Sequence, residues 1–308
     1  MRPDAPWLFA MAVFAAVELL WWTLAWSHGI APPPRLGTYL LFAGMALAVA
    51  SLLRLAAAAS PWATSPTSVI AATIVVATAA SLFLPLKYAI PHEVAFWLDR
   101  PLAAAERALF GIDPWLALDR TFGWAAVPMD WLYGAWLPVQ STILFLVILA
   151  RPSPAKSRAL MAYSAAWFLL GVAAAALFAS AGPLFYDRLL GGSEFAALGQ
   201  TLHQRGVWIA LAESDGMWAS FASGSPGPVA GISAVPSLHV AISMWIWLTA
   251  RTMAPRAAPF AAIYFLLIWV GSVQLGWHYV ADGLAGALGM LAIWWCANWR
   301  FTGSLPAQ

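Results

Sequence analysis

Apolar residues along this chain come in long runs, separated by short interruptions rich in proline. A bilayer core needs about 20 apolar residues per helix. Eight runs approach that length: residues 7–27, 37–59, 67–90, 124–150, 158–181, 234–250, 259–275 and 279–299. Prolines mark the gaps, at Pro32 to Pro34, Pro61, Pro66, Pro152, Pro154 and Pro255, where a missing N–H and a restricted preceding residue end helices. The run at 7–27 is too long for a signal-peptide core and carries no separate small-residue cleavage pattern, so it reads as a helix. Two stretches break the pattern. Residues 91–123 set Glu93, Asp99, Arg100, Glu106, Arg107, Asp113, Asp119 and Arg120 among apolar positions, which predicts amphipathic helices lying at the membrane interface. Residues 182–231 are polar, with Gly and Ser clusters, and read as a long functional loop. With no internal repeat and no low-complexity linker, residues 1–308 are expected to form a single all-α membrane domain of about eight transmembrane helices.

Composition agrees: 62% of the residues are hydrophobic and only 9% are charged, with 20 Trp, against roughly 25% charged in soluble domains. A formal net charge of +2 and the lack of any basic tract leave no nucleic-acid partner. Trp21, Trp22 and Trp26 suit an interfacial aromatic belt. The single Cys296 rules out an internal disulfide and any cysteine-rich metal site. Threading the eight helices alternately collects Arg2, Arg54, Arg151, Lys156, Arg158, Arg251, Arg256 and Arg300 on one side, opposed there only by Asp4. Basic short loops mark the cytoplasm. Both long polar stretches and all five histidines (His28, His92, His203, His239, His278) then fall on or near the opposite, periplasmic or lumenal side, and the C-terminus is cytoplasmic.

Two segments carry chemistry on that outer side. In "GISAVPSLHV", His239 opens the sixth helix; in "GWHYVADGLAG", His278 opens the eighth, with Asp282 four residues on. A carboxylate on the same helical face fixes an imidazole's tautomer and raises its basicity, which suits a nucleophile or base. Pro236 fits a first helical turn, and the free N–H groups there, with the hydroxyls of Ser233 and Ser237, would cradle an anion. Two histidines, one carboxylate and a helix N-terminus suit phosphoryl transfer. The plainer alternatives are histidines that bridge or pack helices and an Asp282 that caps its own helix.

The segments "SAVPSLH" and "HYVAD" resemble the second and third signature motifs of the type-2 phosphatidic-acid phosphatase superfamily, whose usual forms are P-S-G-H and S-R-x5-H-x3-D. Leu238 before the first histidine and Tyr279 after the second are similar to the branch of inositol phosphorylceramide synthases and their bacterial relatives. The resemblance implies a six-helix, phosphatase-type core over about residues 67–299, with two extra helices in residues 1–66, and no metal or other cofactor. His278 would attack phosphorus and form a phosphohistidine, Asp282 would orient it, and His239 would protonate the leaving alkoxide. The reaction implied moves a phosphorylated head group from a phosphoglyceride such as phosphatidylinositol to a lipid alcohol such as ceramide, in sphingolipid metabolism. The alternatives are a lipid phosphatase acting on a lipid phosphate or pyrophosphate and, from another class, a lipid transporter or binding protein. Its partners are therefore membrane lipids.

The chain departs from the family pattern in its cations. The first motif, K-x6-R-P, is absent; Lys87 and Arg100-Pro101 have its residue types without its spacing. The third-motif arginine falls at Ser272. Lys87 is expected to bind the substrate phosphate with Ser233 and Ser237, and Arg188 is the second choice; a snorkelling interfacial charge is the plainer account of either cation. Asp130 and Tyr133 should face the bundle interior, because an unpaired acid in lipid is costly. His92 and His203 have no metal-ligand spacing and read as structural.

Overall fold

The computed structural model of the chain describes residues 5–27, 35–60, 63–224 and 231–302, and these are helical with no strand. In chain order the helices are α1 (Ala5–Ser27), α2 (Leu36–Ala56), α3 (Pro66–Glu93), α4 (Asp99–Phe110), α5 (Pro114–Phe122), α6 (Ala126–Gly134), α7 (Trp136–Leu149), α8 (Pro154–Phe168), α9 (Ala175–Leu177), α10 (Pro183–Leu190), α11 (Ala196–Gln204), α12 (Ile209–Ser223), α13 (Leu238–Met253), α14 (Ala258–Gln274) and α15 (Val280–Thr302). A π turn, Leu169–Ala174, joins α8 to α9. Arg2, Asp4, His28, Pro32 to Pro34 and Gln308 lie outside the described residues.

Among the described residues, six helical segments are long and apolar enough to cross a membrane, and a seventh arises if a bent pair counts as one span. The chain is an integral membrane protein, and the described residues give six or seven candidate spans beside the eight expected. The sixth expected span is shorter than drawn. Pro236 stands before the helix, not in its first turn, and Ser237 is the N-cap of α13, accepting a hydrogen bond from Val240 N–H at 3.4 Å. The fourth expected span is the bent pair: Pro114–Gly134 meets Trp136–Leu149 at 44°. Pro138 explains the break, because it lacks an N–H and its ring presses on the carbonyl four residues back, at Gly134.

The two polar stretches fold more than their composition suggests. Residues 91–123 supply α4 and α5, helical as expected, with α5 packed on α14. The described part of residues 182–231 is not a loop throughout: it carries α10, α11 and α12. Asp130 is the reason for α12. Its carboxylate accepts the backbone N–H groups of Trp208, Ile209 and Ala210 at 3.1, 2.8 and 2.9 Å, so a buried acid neutralises a helix N-terminus. Asp99 does the same for the turn after α9, accepting from Ala181 N–H, Gly182 N–H and the Ser180 hydroxyl. Acids that disrupt the apolar pattern are thus internal staples that fold the outer segments onto the bundle.

The core is built by α13 against α8, α14 and α15, with α1 and α2 packed on α3, α7 and α8. Trp245, where α13 meets α8, and Lys156, near the start of α8, are fully buried. The Trp245 indole donates to the Ala159 carbonyl at 2.7 Å. The Lys156 ammonium donates to the Ala150 carbonyl at 3.1 Å and lies over the Trp7 ring.

Candidate active site

The start of α13 and the start of α15 are locked together by backbone. Ser237 N–H donates to the Asp282 carbonyl at 3.0 Å. One turn further along α15, Gly286 lies so close to α13 that a Cβ would run into the Ser237 carbonyl oxygen. This contact fixes the site: it carries His239, two residues after the N-cap of α13, toward His278, two residues before α15. The two rings stand 6.2 Å apart, centroid to centroid, at 58°.

His278 lies in the turn between α14 and α15, and its backbone N–H donates to the Ser272 carbonyl at 3.1 Å. Its Nδ1 is 3.3 Å from Oδ2 of Asp282. The same Oδ2 accepts the backbone N–H of Tyr279 at 2.9 Å, the reach-back half of a capping box. Asp282 is therefore at once a partner of His278 and a cap of its own helix, and the functional and structural readings of the sequence do not compete. Burial pushes the His278 imidazole down to about 3, and the nearby Lys87 charge acts in the same direction. At neutral pH the ring is uncharged, the state a nucleophile needs.

His239 is wedged between aromatic rings. Tyr133 stacks on it at 4.5 Å and 18°, and Trp136 meets its other surroundings at 4.2 Å and 41°. Trp136 also donates its indole N–H to the His239 carbonyl at 3.2 Å, and Trp277 continues the stack beyond Tyr133 at 6.4 Å. Tyr133 and Trp136 flank the break between α6 and α7, so the bend caused by Pro138 turns both toward one imidazole. The sequence reading placed Tyr133 inside the bundle without a role and did not single out Trp136. No motif marks either; the proline at the helix break was the available signal.

The other expected residues divide. Lys87 is buried on α3, its ammonium donating to the Gly171 carbonyl at 3.3 Å. That carbonyl lies in the π turn after α8, a feature that often marks functional sites. Lys87 is close enough to both imidazoles to act on them electrostatically. Gly231, at φ +97°, packs its backbone against the Lys87 side chain. Ser237 serves as the helix cap, and the Ser233 hydroxyl is buried without a hydrogen-bond partner. Arg188 is engaged elsewhere, in an exposed ion pair with Asp215 at 2.6 Å. Ser272, at the third-motif arginine position, is fully buried and bonds Trp269 O through its hydroxyl. Glu106 was read only as an interfacial charge, yet it is buried behind the site, with Oε1 accepting Ala281 N–H at 2.9 Å. His92 bonds the Tyr88 carbonyl at 2.9 Å, one turn back on its own helix.

Two imidazoles and a carboxylate thus meet at the starts of α13 and α15, within electrostatic reach of the buried Lys87 ammonium. Residues 100–296 match the family model of the PAP2 superfamily, and the chain belongs to that superfamily. Membership makes it a lipid phosphatase or phosphotransferase by class. No curated protein and no solved structure matches the chain.

Proposed function

We propose that the protein is a metal-independent membrane phosphotransferase that moves a phosphorylated head group from a phosphoglyceride to the hydroxyl of a lipid alcohol. The observation that carries this is the pairing of His278 with Asp282 at 3.3 Å, 6.2 Å from the His239 ring and beside Lys87. In the first step, Nε2 of His278 bonds to phosphorus and the P–O bond to the donor's glycerol oxygen breaks. Protonated His239 gives that oxygen its proton. In the second, neutral His239 takes the proton of the acceptor hydroxyl, whose oxygen bonds to phosphorus and releases His278. Splitting one displacement into two eases it, and Lys87 with the α13 N-terminus offsets charge on the phosphoryl oxygens. Asp282 holds the Nδ1 proton and steadies the ring when it carries phosphorus.

A transferase rather than a hydrolase is favoured by the covering segment. With α10 to α12 stapled over the site by Asp99 and Asp130, water has less access to the phosphohistidine than a lipid hydroxyl entering from the bilayer. By the resemblance of the motifs, the donor is phosphatidylinositol-like and the acceptor ceramide-like, and the distribution of basic loops favours the periplasmic or lumenal face for the site. The test is reconstitution of the purified protein in vesicles holding a phosphatidylinositol donor with and without ceramide, read by lipid mass spectrometry. The expected result is a phosphoinositol-bearing ceramide and diacylglycerol in equal amounts. Release of a water-soluble phosphorylated head group, unaffected by the added alcohol, would assign hydrolysis instead.

A further inference from the structure

A cavity of about 610 Å³ lies among α1, α2, α3, α7 and α8, in the size range of about 300–1,000 Å³ typical of small-molecule sites. Its walls are apolar, with residues such as Met11, Phe14, Met45, Val49 and Val76. Three polar residues on those walls form a chain, with Tyr163 donating to Gln140 at 2.7 Å and Gln140 donating to Ser141 at 2.8 Å, while the Trp167 indole N–H is buried without an acceptor. Glu18 supplies the unpaired acceptor. It is the one charged-type residue among the described residues that line the cavity, it is only 3% exposed, and its Oε2 is buried with no hydrogen-bond partner. A carboxyl in a membrane helix is costly unless something pairs with it.

Register places Glu18 at the site-ward end. Trp7 packs on Lys156 and Phe14 on Phe168, so α1 and α8 run in the same direction. One turn beyond Phe14, Glu18 stands near the π turn whose Gly171 carbonyl takes the Lys87 ammonium. On the other walls, Phe83, Gln140 and Trp167 sit one turn from Lys87, Trp136 and Gly171. Phe83 and Trp167 meet edge to face at 4.8 Å, and Trp167 lies 6.1 Å from Trp136. An aromatic partition thus separates the cavity from His239. The polar end of the cavity is level with the site, and its apolar remainder runs away from it along the membrane helices.

We propose that this cavity binds one membrane lipid, its hydrocarbon chain against the apolar walls and a hydrogen-bond donor near its head, a hydroxyl or an amide N–H, bonded to Glu18. A carboxyl oxygen accepts such a bond whether the acid is ionised or neutral, so a donor on the ligand satisfies Oε2 in either state. The inference stands on Glu18 and the cavity, and does not require that His278 form a phosphohistidine.

The test is photolabelling of the full chain in nanodiscs with two diazirine lipids of equal chain length. One is a long-chain N-acyl amino alcohol, which carries hydroxyl and amide donors; the other is a diester lipid with none. The donor lipid should label α1, α2 and α7 at cavity positions, about tenfold more than the diester, the ratio expected for one lost hydrogen bond. Glu18→Leu should remove that preference without lowering thermal stability, since it replaces an unpaired buried carboxyl. Ala46→Trp, which fills the cavity, should abolish labelling by both lipids. His278→Ala should label as the wild type does, which keeps the result separate from catalysis. Equal labelling by the two lipids, labels confined to outward-facing surfaces, or a preference that survives Glu18→Leu would overturn the proposal.

Discussion

Asp282 sets one carboxylate oxygen between two partners, 3.3 Å from Nδ1 of His278 and 2.9 Å from the backbone nitrogen of Tyr279. The geometry that orients the candidate nucleophile also starts the last helix. Asparagine can keep the second contact through its amide oxygen while weakening the first. Asp282→Asn should therefore remain folded, within about 1 kcal/mol of wild-type stability. It should lose about 10²–10⁴-fold in turnover, the range for a lost general acid–base arrangement. A variant that turns over normally would leave Asp282 as a cap alone.

The two histidines have separable effects. His278→Ala removes the proposed nucleophile and should abolish turnover of every phosphoester. His239→Ala should lose turnover of lipid substrates, whose alkoxide leaves only with a proton, but retain part of its rate on a nitrophenyl phosphodiester, whose leaving group needs none. Mild and equal losses on both substrates would favour a lipid-binding role over catalysis.

Gly286 is the hinge of the site. Gly286→Ala would force α15 off the Ser237 carbonyl, at a cost of about 1–3 kcal/mol for overpacking, and would part His239 from His278. Activity should fall further than stability, which parallel thermal unfolding and turnover assays would show. Gly289→Ala is the control, since its Cβ would press on the Leu170 side chain, not on backbone.

Glu106 makes stability depend on pH. Burial pushes its carboxyl up to about 7; the Ala281 N–H bond opposes this and the charge of Asp282 adds to it. Because the folded value is above the unfolded one, its contribution is fully present below about pH 4.5 and is lost as pH rises through about 7. His278 works in the opposite sense: its depressed value gives stability present above about pH 6.5 and lost as pH falls toward about 3. Glu106→Gln should flatten the fall in melting temperature between about pH 5 and pH 8, and an unchanged profile would show that Glu106 is ionised in the folded protein.

A histidine nucleophile needs no divalent ion to activate water. Activity should survive EDTA and be inhibited by orthovanadate, which takes up the five-coordinate geometry of phosphorus in transfer and suits a helix N-terminus beside Lys87. Loss of activity in EDTA, restored by zinc or magnesium, would reassign His239 and His278 as metal ligands.

Helices were legible in the sequence because lipid allows a spanning backbone few alternatives, so long apolar runs bounded by prolines had to be helical. His278 and Asp282 were legible for a similar reason: a spacing of four at a helix start is a local fact. The rest depended on contacts between distant segments. Residues 182–231 are polar enough to pass for a loop, yet α12 forms within them where Asp130, some 80 residues earlier, supplies the acceptor that its N-terminus lacks. Arg188 carried the right charge for a phosphate ligand, but Asp215 had already claimed it. The aromatic walls of His239 come from a bend that Pro138 permits and packing directs, and Glu106 faces the site only because α4 lies against the start of α15. Composition and local spacing determined a helical membrane protein with two marked histidines. Which acids pair, which cations remain near the imidazoles and how the outer helices close over them were decided by tertiary structure, because each is a competition for partners that lie far apart in the chain.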